Sequence, residues 1–294
     1  MAAPMTTAAL LLVLGSAICH ASWNFLLKRS HHKVTFLACA GAIGAAVFFI
    51  PSVIATIDHG LTWAGVALGL ITGCLHGLYG LSLTRGYHLG DLSSVYPVSR
   101  GTGLVLIPVL AVVLLGESIS ALALAGIVLV ILGVYGINLD PHALRDVLAP
   151  LKILNRPAGR AALLTGCLIA AYSVWDKNAL DELSPLTLNQ FAMTGHFLVL
   201  LPVVLVAGRD RIADEWDRGK RSILAAGVLI AMAYALVLAA LTTSNVAYIA
   251  PSREIGIVFG TILGAVVLSE SYGTTRIAAA MLIVAGVFVL AIAP

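Results

Sequence analysis

Apolar residues run through this chain in stretches of about 20, each cut by a charge, a proline or glycine, or a short polar break. Ten such stretches can be marked, at residues 7–28, 34–56, 62–84, 93–115, 119–139, 159–178, 185–208, 221–242, 246–268 and 274–293. At a rise of about 1.5 Å per residue, a helix of that length crosses a hydrocarbon core of about 30 Å. Inside lipid the backbone must satisfy its own polar groups, which favours helices over irregular chain. The pattern predicts an all-α, polytopic membrane protein of ten transmembrane helices. The first run has no basic segment before it and is too long for a signal peptide, so it reads as the first span. Most connections are very short, which makes neighbouring helices antiparallel. Two are longer. Residues 140–157 open on Asp140 and Pro141 and space Leu144, Val147, Leu148 and Leu151 at helical intervals, predicting an amphipathic helix in the interface. Arg209–Arg221, densely charged, reads as the other long connection.

The pattern also repeats. Span 4 carries Tyr96, Pro97, Val98, Ser99 and Arg100 and exits through Gly116, Glu117 and Ser118. Span 9 carries Ala250, Pro251, Ser252 and Arg253 and exits through Ser269, Glu270 and Ser271. His20-to-Asn24 in span 1 corresponds to Tyr172-to-Asp176 in span 6, with Trp23 matching Trp175, and Tyr79 in span 3 corresponds to Tyr234 in span 8. The organisation that follows is a first five-helix repeat at 1–139, a linker at 140–158 and a second repeat at 159–294. Five is odd, so the second copy should sit inverted in the membrane. Inverted repeats are a transporter signature, with the solute held near the midplane between copies; a duplicated bundle built only for stability is the alternative.

On these residues the chain resembles the drug/metabolite transporter superfamily, and within it the EamA-type permeases. The resemblance spans all ten runs and includes the His20–Asn24 segment and the glutamates Glu117 and Glu270 closing spans 4 and 9. The Ser99-Arg100-Gly101-Thr102-Gly103 run is similar to the subgroup associated with phosphonate utilisation. The resemblance implies alternating access through a central cavity lined by spans 1, 3, 4, 6, 8 and 9, with spans 5 and 10 behind. It leaves the solute open.

Composition fits the same class. The chain is 60% hydrophobic and 11% charged, with a net charge of +3 and a mean hydropathy of +1.01. Soluble domains carry about 25% charged residues, because they must cover themselves in polar surface. Cys19, Cys39, Cys74 and Cys167 lie within apolar runs without C-x-x-C spacing, as packing residues do. Of seventeen lysines and arginines, fourteen fall on the face carrying the loops after spans 1, 3, 5, 7 and 9. Lys177 alone falls on the other face, and Arg100 and Arg253 lie within spans. The basic face should be cytoplasmic, with both termini on the opposite side of a cell (inner or plasma) membrane. Zincin, nucleophile-elbow and P-loop signatures are missing, so the chain does not read as an enzyme and transport would be secondary.

Candidate chemistry lies inside the spans. Arg100 sits roughly 10 Å deep, and Arg253 occupies the matching position of the other copy. A charge at that depth belongs in the bundle interior unless it snorkels. The two arginines are candidates to grip a carboxylate or phosphate, or to form structural ion pairs. Glu254, opposite Gly101 in the repeat, reads equally as a proton carrier or as a fixed partner of Arg100 or Arg253. Pro97 and Pro251 are hinge candidates. Ser16, His20, Asn24 and Lys28 form a polar stripe edged by Trp23. His20, Trp23, Asn24, His76, Tyr79, Tyr172, Trp175 and Tyr234 are the further candidates for the pocket; His196 and Gln190 read as structural. Glycines at every fourth position of span 3 (65, 69, 73, 77) and span 9 (256, 260, 264) read as packing faces.

The resulting expectation is a secondary active permease for a small anionic or zwitterionic metabolite, with proton coupling as an option at Glu254. No cofactor, metal or nucleic acid is expected; the partners are the solute, the lipid bilayer and at most a second copy of the chain. The alternatives are an exporter of lipophilic or cationic drugs, with the arginines structural, and a membrane enzyme acting on lipid.

Overall fold

The computed structural model describes residues 5–90, 92–137, 156–268 and 274–294, without the side chains of 92–94, 96, 97, 263–268, 274 and 275. Residues 140–155 of the expected amphipathic linker helix, Glu270 and the side chain of Pro97 lie outside the described residues, and Pro157, expected in the linker, opens the next helix. Among the described residues eleven helices form, in chain order: α1 Thr7–Lys28, α2 Lys33–His59, α3 Trp63–Leu89, α4 Leu92–Leu115, α5 Ala121–Ile137, α6 Pro157–Ala179, α7 Pro185–Ala207, α8 Arg209–Leu241, α9 Val246–Ser252, α10 Ile255–Leu268 and α11 Thr274–Ile292.

Local chemistry sets their ends. Thr6 and Thr62 accept from the backbone N–H groups of Ala9 (3.0 Å) and Gly65 (2.9 Å), and Ser184 accepts from that of Thr187 (3.2 Å). Pro157 and Pro185 start α6 and α7, where a missing N–H costs nothing. Gly208 closes α7 at φ 96°, a left-handed conformation that a side chain would strain. Arg209–Arg221 is helical, not a loop. Arginine, lysine and glutamate are good helix formers, and this segment makes the first turns of α8.

Among the described residues, seven helices are long and apolar enough to cross a membrane: α1, α2, α3, residues Val98–Leu115 of α4, α6, α7 and α8. The remaining apolar helices are shorter. α5 has 17 residues, α11 is apolar from Arg276, and the ninth run breaks into α9 and α10. Large apolar side chains such as Ile57, Val113, Val206 and Phe288 face outward, as lipid-facing residues do. α4 lies along α6, α1 along α8, α5 along α11, and α3 along α6 and α7; α2 packs on α7 and α8, and α1 meets α10. Close approach depends on small residues. A Cβ at Gly195 of α7 would fall 2.2 Å from Gly73 Cα of α3, so the span 3 glycines serve packing.

Candidate functional site

The ninth run breaks just past Pro251, between α9 and α10. Beyond it the ladder tightens. Glu254 N–H donates to Pro251 O (3.0 Å), Gly256 N–H to Arg253 O (3.0 Å) and Ile257 N–H to Glu254 O (2.9 Å), each three residues back. Arg253, whose N–H still donates to Ile249 O (3.2 Å), and Glu254 thus stand on a tight turn between two helices. α4, by contrast, runs unbroken through position 97. The serines before the two arginines behave alike: Ser99 Oγ donates to Val95 O (2.9 Å) and Ser252 Oγ to Tyr248 O (2.8 Å).

Glu254 reaches from this turn to α4. Arg100 Nη2 lies 2.8 Å from Glu254 Oε1, and Arg100 Nε donates to Oε2 at 3.2 Å. Both side chains are buried, and the two-point geometry suits a desolvated guanidinium–carboxylate pair. Of the two partners open to Glu254 in the sequence, the structure brings it to Arg100. Arg253 is half-buried and forms no ion pair among the described residues. It lines a slit of about 10 Å³ together with Tyr172, Asp176, Tyr234 and Ile249. That is room for about one water.

Asp176 is the centre of a polar cluster between α3, α6 and α8. It is 1% exposed. Thr72 Oγ1 donates to Oδ1 at 2.6 Å, and the Tyr234 hydroxyl donates to Oδ2. His76 Nε2 lies 3.1 Å from Oδ2 and 2.9 Å from the Tyr234 oxygen. The ring of Tyr172 stacks on His76 with centroids 4.2 Å apart, and Tyr79 meets Tyr172 edge-on at 5.6 Å. His76, Tyr79, Tyr172 and Tyr234, all expected at the pocket, are therefore brought together. Asp176 and Thr72 were not among the expected site residues. The available signal was that an ionisable Asp176 matches Asn24 across the repeat. His196, read as structural, meets His76 O through Nδ1 at 3.2 Å, and its Nε2 has no partner among the described residues.

The other candidates lie apart from the slit. Trp23 is buried in a separate core with Leu27, Phe36, Leu200 and Ile223, its edge against His20 at 4.9 Å. Asn24 Nδ2 donates to His20 O (2.8 Å), while His20 itself is within electrostatic reach of Arg100 and Arg253. Trp175 points to α3, where Nε1 donates to Leu68 O (3.1 Å). At the ends of α4 and α6, Glu117 accepts the N–H groups of Val246 (2.8 Å) and Ala247 (3.0 Å), securing the start of α9. Lys177 donates to Leu241 O (2.5 Å) and Ser244 O (3.1 Å) beside it. No cluster of three metal-ligating side chains forms among the described residues.

No curated protein matches this chain. A crystal structure of a protein 18% identical in sequence superposes with a TM-score of 0.74, covering 96% of this chain and 96% of its own. At that identity the likeness concerns the fold. The model of the EamA-like transporter family matches twice, at residues 7–139 and 159–292, the two halves separated in the sequence reading. The chain therefore belongs to the EamA-like transporter family: it is a multi-pass membrane protein with a transport function.

Proposed function

We propose that this chain is a secondary transporter for a small metabolite bearing an anionic group, working by alternating access between two inverted five-helix repeats. In this reading α5, the broken α9–α10 and α11 complete ten crossings, and the basic loops face the cytoplasm. Helix pairing supports it. Exchanging each helix for its counterpart five spans away turns α1–α8 packing into α6–α3 packing, and α2–α8 into α7–α3. α2–α7 and α5–α11 map onto themselves. The observation that carries the cargo class is Arg253, a guanidinium on a broken helix that lines an internal slit and has no ion pair among the described residues. Asp176 lines the same slit, so a zwitterion meets both signs of charge better than a plain anion does. Glu254, held by Arg100, acts here as a fixed counter-ion, not a proton carrier.

The test is uptake by proteoliposomes offered amino acids, aminophosphonates and phosphorylated compounds. Arg253→Gln should abolish transport of the cognate solute; wild-type transport by that variant refutes the anion grip. Export of a cationic compound is the second reading, favoured by a carboxylate set among Tyr172, His76 and Tyr234. It requires that Asp176→Asn abolish extrusion of cationic dyes while Arg253→Gln spares it.

A further inference from the structure

Arg100 and Arg253 hold matching positions in the two halves, but the residues that follow them differ. Glu254 follows Arg253, and Gly101 follows Arg100. Glu254 crosses between halves to bind Arg100 at two points. The matching contact in the other direction would require a carboxylate at position 101 directed at Arg253. A Cβ built on Gly101 would meet nothing within 4 Å. Close packing does not account for this glycine. Two residues on, a Cβ on Gly103 would lie 3.0 Å from Ile169, and one on Gly166 2.4 Å from Thr102. The space beside Arg100 is open where its neighbours are filled, and the arginine matched to it is the one without a carboxylate partner among the described residues. Asp176, in the same slit, is already engaged by Thr72, His76 and Tyr234.

We infer that Glu254 is a built-in stand-in for the cargo: its carboxylate fills the anion position of one half, and the transported anionic group fills the matching position over Gly101, against Arg253. This rests on the transport reading and on the inverted pairing of the halves. The site then holds one exchangeable anion, not two. Arg100 is the fixed grip and Arg253 the exchangeable one. An intramembrane guanidinium is costly to leave unmatched, so cargo on Arg253 completes the charge pairing that Glu254 begins. A carboxylate fixed at position 101 should take the place of the cargo permanently.

The experiment uses the full chain with Gly101→Glu and its size-matched neutral control Gly101→Gln, each in wild-type and Arg253→Gln backgrounds. Thermal unfolding of the ligand-free protein gives the first readout. Gly101→Glu should lower Tm in the Arg253→Gln background, where its carboxylate is stranded, and not in the wild-type background; Gly101→Gln should cost the same in both. Uptake of L-alanine and aminomethylphosphonate gives the second. Gly101→Glu should fall at least about tenfold below Gly101→Gln, the scale of one charged hydrogen-bonded contact. Equal Tm cost of Gly101→Glu in the two backgrounds, or uptake equal to that of Gly101→Gln, overturns the inference. A wild-type protein that takes up neither probe counts against the cargo reading. The Tm comparison then decides alone whether the space over Gly101 is the anion position of Arg253.

Discussion

Arg100 and Glu254 neutralise each other between α4 and the turn that joins α9 to α10. Such a pair gains little over an apolar pair of equal size, since both ions must be desolvated, but losing one partner strands the other. Glu254→Gln and Arg100→Gln are each expected to cost about 3–5 kcal/mol. The double change to Arg100→Met and Glu254→Leu should cost much less than the sum. Thermal unfolding in detergent measures the cycle, and additive costs would mean that the pair is not coupled. Asp176 is a different case, because its oxygens collect hydrogen bonds from Thr72, Tyr234 and His76. Ser173, one turn before Lys177, bonds its own helix at Ile169 O (2.7 Å) and adds nothing to this cluster.

At the scale of the element, the asymmetry between α4 and α9–α10 matters most. Both runs carry a proline before a serine and an arginine, yet only the second breaks. Pro251→Ala restores a donor for Ala247 O and removes the ring that crowds it, so the last turn of α9 should stiffen. Slower amide hydrogen exchange over residues 250–253 and slower solute uptake are expected; unchanged exchange would show that Pro251 does not set the mobility of this turn. Packing of α3 on α7 makes a second demand. Gly195→Val meets the α3 backbone and should destabilise by about 1–3 kcal/mol or more through overpacking. Gly260→Val, where a Cβ meets nothing within 4 Å, should leave thermal stability near the wild-type value. The apolar runs were legible because hydropathy in lipid has few other solutions, and Tyr79 and Tyr234 of the candidate site stood out because they match across the repeat read in the sequence. Charge, used as a boundary marker, hid two features. It cut Arg209–Arg221 away from α8, and it left Asp176 beside Lys177 at an assumed helix end. The ion pair was open because periodicity puts Glu254 near two arginines and cannot choose between them.

For the molecule as a whole, the two halves fit each other unequally. α4 lies along α6 in a crossing closed by Gly103 against Ile169 and Gly166 against Thr102. The counterpart crossing joins α1 to α9–α10. It holds at Gly256, where a Cβ would lie 3.3 Å from Ala17 O, but one turn further Gly260 faces open space. Position 260 corresponds to Ile107 of α4, which is buried. On the transport reading proposed above, inverted symmetry has one crossing close as the other opens, and this arrangement is then one end state of a rocking cycle. On the same reading, Gly260 lies toward the end of span 9 that leads into basic loops, the end expected to face the cytoplasm. A cysteine at position 260 therefore reports the state and the topology together. In a background with Cys19, Cys39, Cys74 and Cys167 replaced by serine, Gly260→Cys should react with a membrane-impermeant maleimide in inside-out vesicles and resist it in right-side-out ones. A transported solute should lower that reactivity by carrying α1 and α10 toward closure. Labelling from the outer side alone would invert the topology, and labelling that is equal from both sides would mean that the gap is not a gate.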